Sequence, residues 1–273
     1  MRRKILVVLA LLAFLTAGPV LADDDAAGKL IKRGDKFYGN RGKGTKWVDR
    51  AIECYEKALA VDTKSVAASW RLTRACYWLG GDQKESATRL KTYQKGIDAA
   101  KRAIKFDESS VECHYWLGVC YGKYGETKGI MNSIGLIPHI KKEMNRVIEL
   151  DENYNHGGAW CVLGRLYNKV PGALGGDNKK SLECLEKAKK LDKDHLLARL
   201  FLADTLLSLD RKDDAIKALK FVIDAPVQKG REPENAKEKK QAKKKLAELV
   251  KDDPKKKPDE KTDEKADEKT EDK

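Results

Sequence analysis

Histidine is scarce in this chain of 273 residues: there are four, at positions 114, 139, 156 and 195. They are too scattered to serve as bases, and no Ser, Cys or Thr stands in a legible nucleophile–base arrangement, so no catalytic residue is assigned. Zinc chemistry lacks its spacing as well. Cys113-His114 with Cys120 comes nearest, without the paired ligands of a structural site. A phosphate loop is missing too. Residues 39–46 are basic and glycine-rich, but the order is Gly44-Thr45-Lys46 rather than Gly-Lys-Thr, and no strand precedes it. No metal and no cofactor are therefore expected, and the chain reads as a binding protein, not an enzyme.

Both ends lack the features of a folded core. Residues 1–22 read as a signal peptide. Arg2, Arg3 and Lys4 open it, an apolar run extends from Ile5 to Leu15, and Val20-Leu21-Ala22 supplies the small residues of a cleavage site. The run is short for a membrane span, and no cysteine stands near the cleavage point to carry a lipid anchor. A periplasmic or secreted location follows as an expectation. Residues 251–273 have almost no apolar side chain. They carry Pro254 and Pro258 and close on three near-repeats of Asp-Glu-Lys-Thr/Ala, the composition of a disordered charged tail.

The net charge of +13 is concentrated toward the C-terminus, where residues 229–257 hold 12 Lys and Arg against 6 Asp and Glu. In a cytosolic protein this would point to nucleic acid. In an exported one it points to other anions or a solvated surface, so no nucleic-acid partner is expected. The six cysteines, at 54, 76, 113, 120, 161 and 184, permit disulfides in an exported chain. Cys113 and Cys120 are seven apart on one predicted helix, about 10 Å along its axis, beyond disulfide reach. Most of the six occupy small-residue core positions, so packing is their expected role, with one or two bridges allowed.

What is present is a repeat. Ser69-Trp70-Arg71-Leu72-Thr73 with Cys76-Tyr77-Trp78-Leu79-Gly80, His114-Tyr115-Trp116-Leu117-Gly118, Trp160-Cys161-Val162-Leu163-Gly164 and Arg199-Leu200-Phe201-Leu202-Ala203 share one pattern. An apolar residue is followed by a small one and then a large one at helical spacing. His114 stands at a usual Trp site and is read as a packing residue. A second helical pattern follows each, as in Ala51–Leu59 and Ser181–Ala188, and its end is marked by Asp62, Asp107, Asp151 or Asp192.

These motifs resemble the tetratricopeptide repeat (TPR), a helix pair that stacks into a solenoid because one pair cannot cover its own apolar face. The likeness runs over residues 30–225. It implies an all-α, TPR-like right-handed solenoid of about five helical hairpins with extended intra-repeat loops. The expected domain spans 26–228, and a polar helix over 233–250 caps its end. Matched positions of the two helices lie 28, 34, 33, 28 and 23 residues apart in successive repeats, from Leu30–Ala58 to Arg199–Val222. Between repeats the same landmarks lie 11, 11, 13 and 11 apart. The extra residues thus gather at one edge of the solenoid. One insertion, 126–138, is apolar, and Ile130, Met131 and Ile134 are its candidate contacts. Another, 170–177, ends at Asp177, a predicted helix cap.

Gly118, Lys128-Gly129-Ile130, Ile140–Met144, His156–Trp160, Leu163–Tyr167, Val170-Pro171-Gly172 and Gly175-Gly176-Asp177 resemble more narrowly the T-component family of TPR-associated TRAP transporters. That resemblance implies a periplasmic, oligomer-forming helical protein that partners a solute-binding protein and helps deliver an apolar or organic-acid ligand. The helical region of the eukaryotic microtubule-dynamics regulators is distantly similar. A signal peptide argues against a cytoskeletal role. The first helices of TPR proteins line a concave groove, and the matching positions here are Trp70, Arg74, Tyr77 and Trp78; Tyr115, Val119 and Lys123; and Cys161, Arg165, Asn168 and Lys169. Rings beside guanidinium groups suit an acidic peptide or an amphipathic carboxylate. The leading expectation is a scaffold for protein partners, and the alternative is a transporter T-component with its solute-binding protein.

Overall fold

A computed structural model describes residues 24–251, so the expected signal peptide and all but the first residue of the expected tail lie outside the described part. Within it, four aspartates repeat one local device. Asp62, Asp107, Asp151 and Asp192 stand at the ends of successive second helices. Each accepts, on its side-chain Oδ1, the backbone N–H two residues on, at 2.8–2.9 Å. Such turns stop a helix and redirect the chain. Ser65 and Ser110 then cap the next helices by accepting from the N–H groups of Ala68 and Cys113. Asp177 caps its helix as the sequence predicted, through the N–H groups of Lys179 and Lys180.

The outcome is five hairpins and one further helix: α1 (Asp24–Gly39) with α2 (Thr45–Val61), α3 (Val66–Asp82) with α4 (Ser86–Ile104), α5 (Val111–Lys128) with α6 (Ile137–Asp151), α7 (Tyr154–Lys169) with α8 (Asn178–Leu191), α9 (Leu196–Leu207) with α10 (Lys212–Asp224), and α11 (Glu232–Lys251). No strand occurs among the described residues. Each second helix packs on the first helix of the next pair, which makes the stack a TPR-like solenoid. The extra residues inside the repeats are taken up in two ways. Short 3-10 turns at 41–43, 130–136 and 172–174 bridge the hairpin tips, and α3 and α4 are lengthened until only residues 83–85 join them.

Within the hairpins, the close approach depends on a small residue. A methyl group on Gly34, Gly118 or Gly164 would overlap Tyr55, Met144 or Leu185 of the helix packed against it. In the second hairpin Thr73 stands at the matching place, and the glycine has moved to the other helix: Gly96 meets Thr73 and Cys76, and its carbonyl accepts the Thr73 hydroxyl at 3.0 Å. All six cysteines are buried free thiols, so no bridge forms among the described residues. They fill the inter-helix space as small apolar side chains, and burial pushes the thiols of Cys76 and Cys161 up to about 12. His114 is buried with Nδ1 2.6 Å from Glu143 Oε2 and Nε2 3.1 Å from the Glu108 carbonyl, joining α5 to α6. Burial opposes its charge, but these two partners outweigh burial and raise its pKa.

The last helix is longer in reach than an end plate. Its C-terminal half places Ala242, Leu246 and Leu249 on the core of α9 and α10. Its N-terminal half lies against the start of the solenoid, where Glu234 meets Arg41, 193 residues away in sequence. The expected cap over 233–250 is therefore a helix that also spans the inner side. Apolar burial holds its C-terminal half, whereas the other end is held by charges.

Gly164→Ala should overpack the contact with fully buried Leu185 and cost about 1–3 kcal/mol, lowering Tm by roughly 2–4 °C per kcal/mol. Gly122→Ala, where an added methyl meets nothing within 4 Å, should leave Tm unchanged or raise it through helix propensity. Thermal melts followed by circular dichroism check the pair, and equal effects would remove the close-approach argument.

Candidate functional site

The first helices α1, α3, α5, α7 and α9 turn one face each toward a shared groove, and α11 lies across it. The space between them is a cavity of about 830 Å³. Trp70, Arg74, Trp78, Tyr115, Lys123, Arg165 and Lys169, all predicted from the repeat pattern, line it, as do Tyr77, Val119 and Cys161. Of the insertion residues, Ile130 reaches the cavity. Met131 and Ile134 do not line it and are exposed. Asn168 also stays out. Its Nδ2 donates to Asn178 Oδ1 at 3.1 Å and to Ser208 Oγ at 3.0 Å, tying α7 to α8 and to the end of α9.

At one end, Arg74 is held in a stack. Its guanidinium lies 4.1 Å from the Tyr38 ring and 4.8 Å from the Trp70 ring. Asp35 anchors this corner: it accepts from Arg71 Nε at 3.0 Å and from the Tyr55 hydroxyl at 2.8 Å, with Arg74 Nη2 3.7 Å away. Burial pushes the Tyr38 hydroxyl up to about 12, against the pull of Arg74 and Arg41. At the other end, Arg165 lies over the Phe201 ring at 4.6 Å and bonds Asp204 at 2.7 Å. Lys169 and Lys245 converge on the same Asp204. Burial, with Arg165 and Lys245 close by, lowers the pKa of Lys169. Glu126 faces Arg165 Nε at 3.6 Å and bonds Lys123 at 2.8 Å, so two carboxylates, Asp204 and Glu126, serve four cations at that end.

The middle is built on an unusual backbone. Asn155, His156 and Gly157 form a left-handed turn with φ of 48°, 63° and 72°. For the two non-glycine residues this costs about 1–2 kcal/mol each. It is held by Asn155 Nδ2 donating to the Tyr115 hydroxyl at 2.7 Å and by His156 Nδ1 lying 2.9 Å from Asp192. Gly158 is needed because any side chain would strike the Tyr115 ring. Sequence reasoning noted His156-Gly157-Gly158 as a motif without seeing that it places Asn155 and His195 at the groove.

The lining has a shared chemical property. Arg74 Nε, Trp78 Nε1, Trp116 Nε1 and Arg231 Nη1 are buried donors that make no hydrogen bond within the described residues. Arg165 Nε has only Glu126 Oε1 at 3.6 Å, and the ring nitrogen Nδ1 of His195 is also unbonded. All six belong to residues of the cavity wall. Buried polar atoms of Arg89, Tyr93 and Trp160 are unbonded elsewhere. A buried donor without an acceptor costs about 1–3 kcal/mol. Trp116, Asp35, Tyr38, Arg41, Phe201 and the α11 side chains were not among the predicted site residues. Trp116 was legible beside Tyr115 in the repeat, but the α11 contacts had no local signal. Among the described residues no group of three or more His, Cys, Asp or Glu is placed to hold a metal ion. No helix among them is long and apolar enough to cross a membrane.

His195 ties this site to pH. Burial, with Arg231 nearby, lowers its pKa to about 3, so the folded chain keeps it neutral while the unfolded chain protonates it near 6.5. Its contribution to stability is present above pH 6.5 and is lost as pH falls from there toward 3. His195→Gln should flatten the fall of Tm between pH 6.5 and 4.5 by a few degrees, measured by thermal melts across that range. An unchanged slope would show that His195 is not the group responsible.

Solved structures share the solenoid. A thermophilic TPR protein of Thermus thermophilus superposes with a TM-score of 0.57 at 18% identity, over 82% of this chain and 99% of that one. PilF of Pseudomonas aeruginosa gives 0.53 at 16%, over 84% of this chain and 94% of that one. At such identities the likeness is one of fold. Sequence relatives are more specific. Regulator of microtubule dynamics protein 3 of Mus musculus is 28% identical over 172 residues, 58% of this chain and 36% of the relative. Regulator of microtubule dynamics protein 1 is 32% identical over 99 residues in Bos taurus, 34% of this chain and 31% of the relative. In Pongo abelii the protein of that name is 26% identical over 200 residues, 66% of this chain and 60% of the relative. The chain thus spans between about a third and three fifths of the length of these relatives.

These findings overturn the expected periplasmic or secreted location, because the relatives come from mammals, whose cells have no periplasm. The apolar N-terminus that led to that expectation lies outside the described residues. None of these relatives is a TRAP component, and the motif across residues 118–177, read as that of a T-component, falls within the stretch matched by another family. The reasons for setting aside a cytoskeletal role and nucleic acid both rested on export, and both lapse with it. The profile described as regulator of microtubule dynamics protein 1-3 matches residues 30–251, most of the chain, which therefore belongs to that family.

Proposed function

We propose that this chain is a non-enzymatic binding module whose inner groove holds an acidic, partly apolar segment of a protein partner. The observation that carries the reading is the set of buried donors without acceptors on the cavity wall, interleaved with Trp70, Trp78, Tyr115 and Phe201. Carboxylates and peptide carbonyls are acceptors, and aromatic faces cover the apolar side chains between them. Arg74, Lys123, Arg165 and Lys169 are the proposed anchors, with Ile130 as an apolar contact. The TPR-like fold is compatible with protein partners, and the relatives' name places the family in the regulation of microtubule dynamics. The module is then the part of such a regulator that grips its partner.

A second reading has one specific observation in its favour: α11 roofs the cavity and leaves about 830 Å³ beneath it, within the range of small-ligand sites. An amphipathic organic acid would use the same donors. A bound acid released from the purified protein and identified by mass spectrometry would favour this reading over the peptide.

A short fluorescein-labelled peptide of glutamate and leucine tests the first. Its anisotropy should rise with protein, and its affinity should fall as salt screens the charges. Arg74→Gln should weaken binding roughly tenfold or more, the loss of about 1.5–3 kcal/mol for a hydrogen bond to a charged group. Lys142→Ala, on an exposed position of α6, should leave it unchanged. Equal loss in both variants would reduce the interaction to general charge attraction.

A further inference from the structure

The 20 residues of α11 are attached in two different ways. From Ala242 on, Leu246 and Leu249 bury against α9 and α10. Before that, from Glu232 to Gln241, the sequence Glu-Pro-Glu-Asn-Ala-Lys-Glu-Lys-Lys-Gln offers no side chain that buries much apolar area. That half is gripped by the first two hairpins through charge, and Lys239 also donates to the Ile223 and Ala225 carbonyls at the end of α10. Arg41 donates to both Glu234 oxygens, at 2.8 and 2.7 Å, and to the Gly230 carbonyl at 2.8 Å. Lys237 bonds Asp82 at 2.6 Å and stands 3.7 Å from the Trp78 ring.

The same half is tied to the turn before it. Fully buried Asn235 accepts from the Gln228 N–H at 2.8 Å and donates to Glu238 at 3.0 Å. Residues 228–238 therefore form one stiff piece, preceded by Ala225-Pro226-Val227. This piece supplies Gly230, Arg231, Glu234, Lys237 and Glu238 to the cavity wall. It covers the groove at the point where Arg74, Trp78 and Tyr115 face it.

We propose that the N-terminal half of α11 is a tethered occupant of the groove mouth, which an acidic partner segment displaces by taking Arg41 from Glu234. The proposal rests on the groove reading above and adds its regulation. The physics favours local release. The Lys237–Asp82 pair is partly exposed, worth about 0–1 kcal/mol and screened by salt. The bidentate Arg41–Glu234 pair is the stronger tie and the one a competing carboxylate can replace in kind, whereas the apolar half of α11 stays on α9 and α10. Because the occupant is tethered, it competes at a high effective concentration, so the closed form sets the affinity of any partner. Glu234 on Arg41 also indicates what displaces it: a carboxylate able to accept two parallel bonds from one guanidinium.

A lock can be built from the existing geometry. A Cβ at Gly42 would lie 3.0 Å from Pro233 Cβ, close to the roughly 3.5–4.5 Å between disulfide-linked Cβ atoms. The six native thiols are buried, so the new pair is the accessible one. The doubly substituted chain Gly42→Cys with Pro233→Cys is oxidised or reduced and titrated with the fluorescein-labelled glutamate and leucine peptide. The oxidised form should bind at least tenfold more weakly than the reduced form, and Glu234→Gln with Lys237→Gln should bind several-fold tighter than the unaltered chain. Equal binding by locked and unlocked forms overturns the proposal.

Hydrogen exchange of the unaltered chain gives an answer without any ligand. Residues 228–241 should lose protection as salt is raised while α9 and α10 keep theirs, and protection of 228–241 equal to that of α9 at every salt concentration sinks the proposal. If no form binds the peptide, the acidic-segment reading of the groove fails, and the exchange result alone decides whether the strap opens.

Discussion

The solenoid depends on how closely the two helices of a hairpin approach. Gly34, Gly118 and Gly164 each receive a large side chain of the partner helix, and a methyl group at any of them would overlap it. Helices that lie this close leave no room for water, so their apolar faces are fully covered on that side. The second hairpin shows that the constraint is on the pair and not on the position. Thr73 occupies the first helix, and Gly96 on the second clears the space. From this spacing follows the stack of first helices side by side, and from that stack the groove.

The groove is costly to build. Aromatic rings and guanidinium groups face one another across it, and several buried donors go without acceptors. Two non-glycine residues hold left-handed backbone to put Asn155 on Tyr115. A wall assembled only for packing would be made of aliphatic side chains at lower cost. At the far end Asp204 and Glu126 are shared among Lys123, Arg165, Lys169 and Lys245, which leaves local positive potential. The strained turn and the unmatched polar atoms of the wall are the features the proposed binding role draws on.

Much of this was legible in advance, for definite reasons. Helix pairs, their order and the turn aspartates are local, encoded by spacing and by side chains that bond two residues away. Residues such as Trp70, Arg74, Tyr115 and Arg165 were placed on the inner face because they recur at matched positions, and the groove collects them. Asn168 lies outside the cavity lining because helical spacing gives a direction but not a partner, and its amide is taken by Asn178 and Ser208. Met131 and Ile134 were expected as contacts, yet in that insertion Ile130, Ser133, Leu136 and Ile137 turn to the cavity, since a 3-10 turn has its own facing. The location was misread because a basic, apolar N-terminus is a composition signal, independent of the fold that follows it.

By itself, the sequence determined the all-helical class, the five hairpins, the buried cysteines and most of the inner-face residues, because each of these is set by contacts within about one repeat. The course of α11 was decided only in three dimensions. Its contacts join Glu234 to Arg41 and Lys237 to Asp82 across separations of 193 and 155 residues. Charged side chains on an apolar-poor helix carry no periodicity that names their partners. Only the curvature of the stacked hairpins brings the first helix pair within reach of the last helix, and that curvature arises from the packing of the whole solenoid.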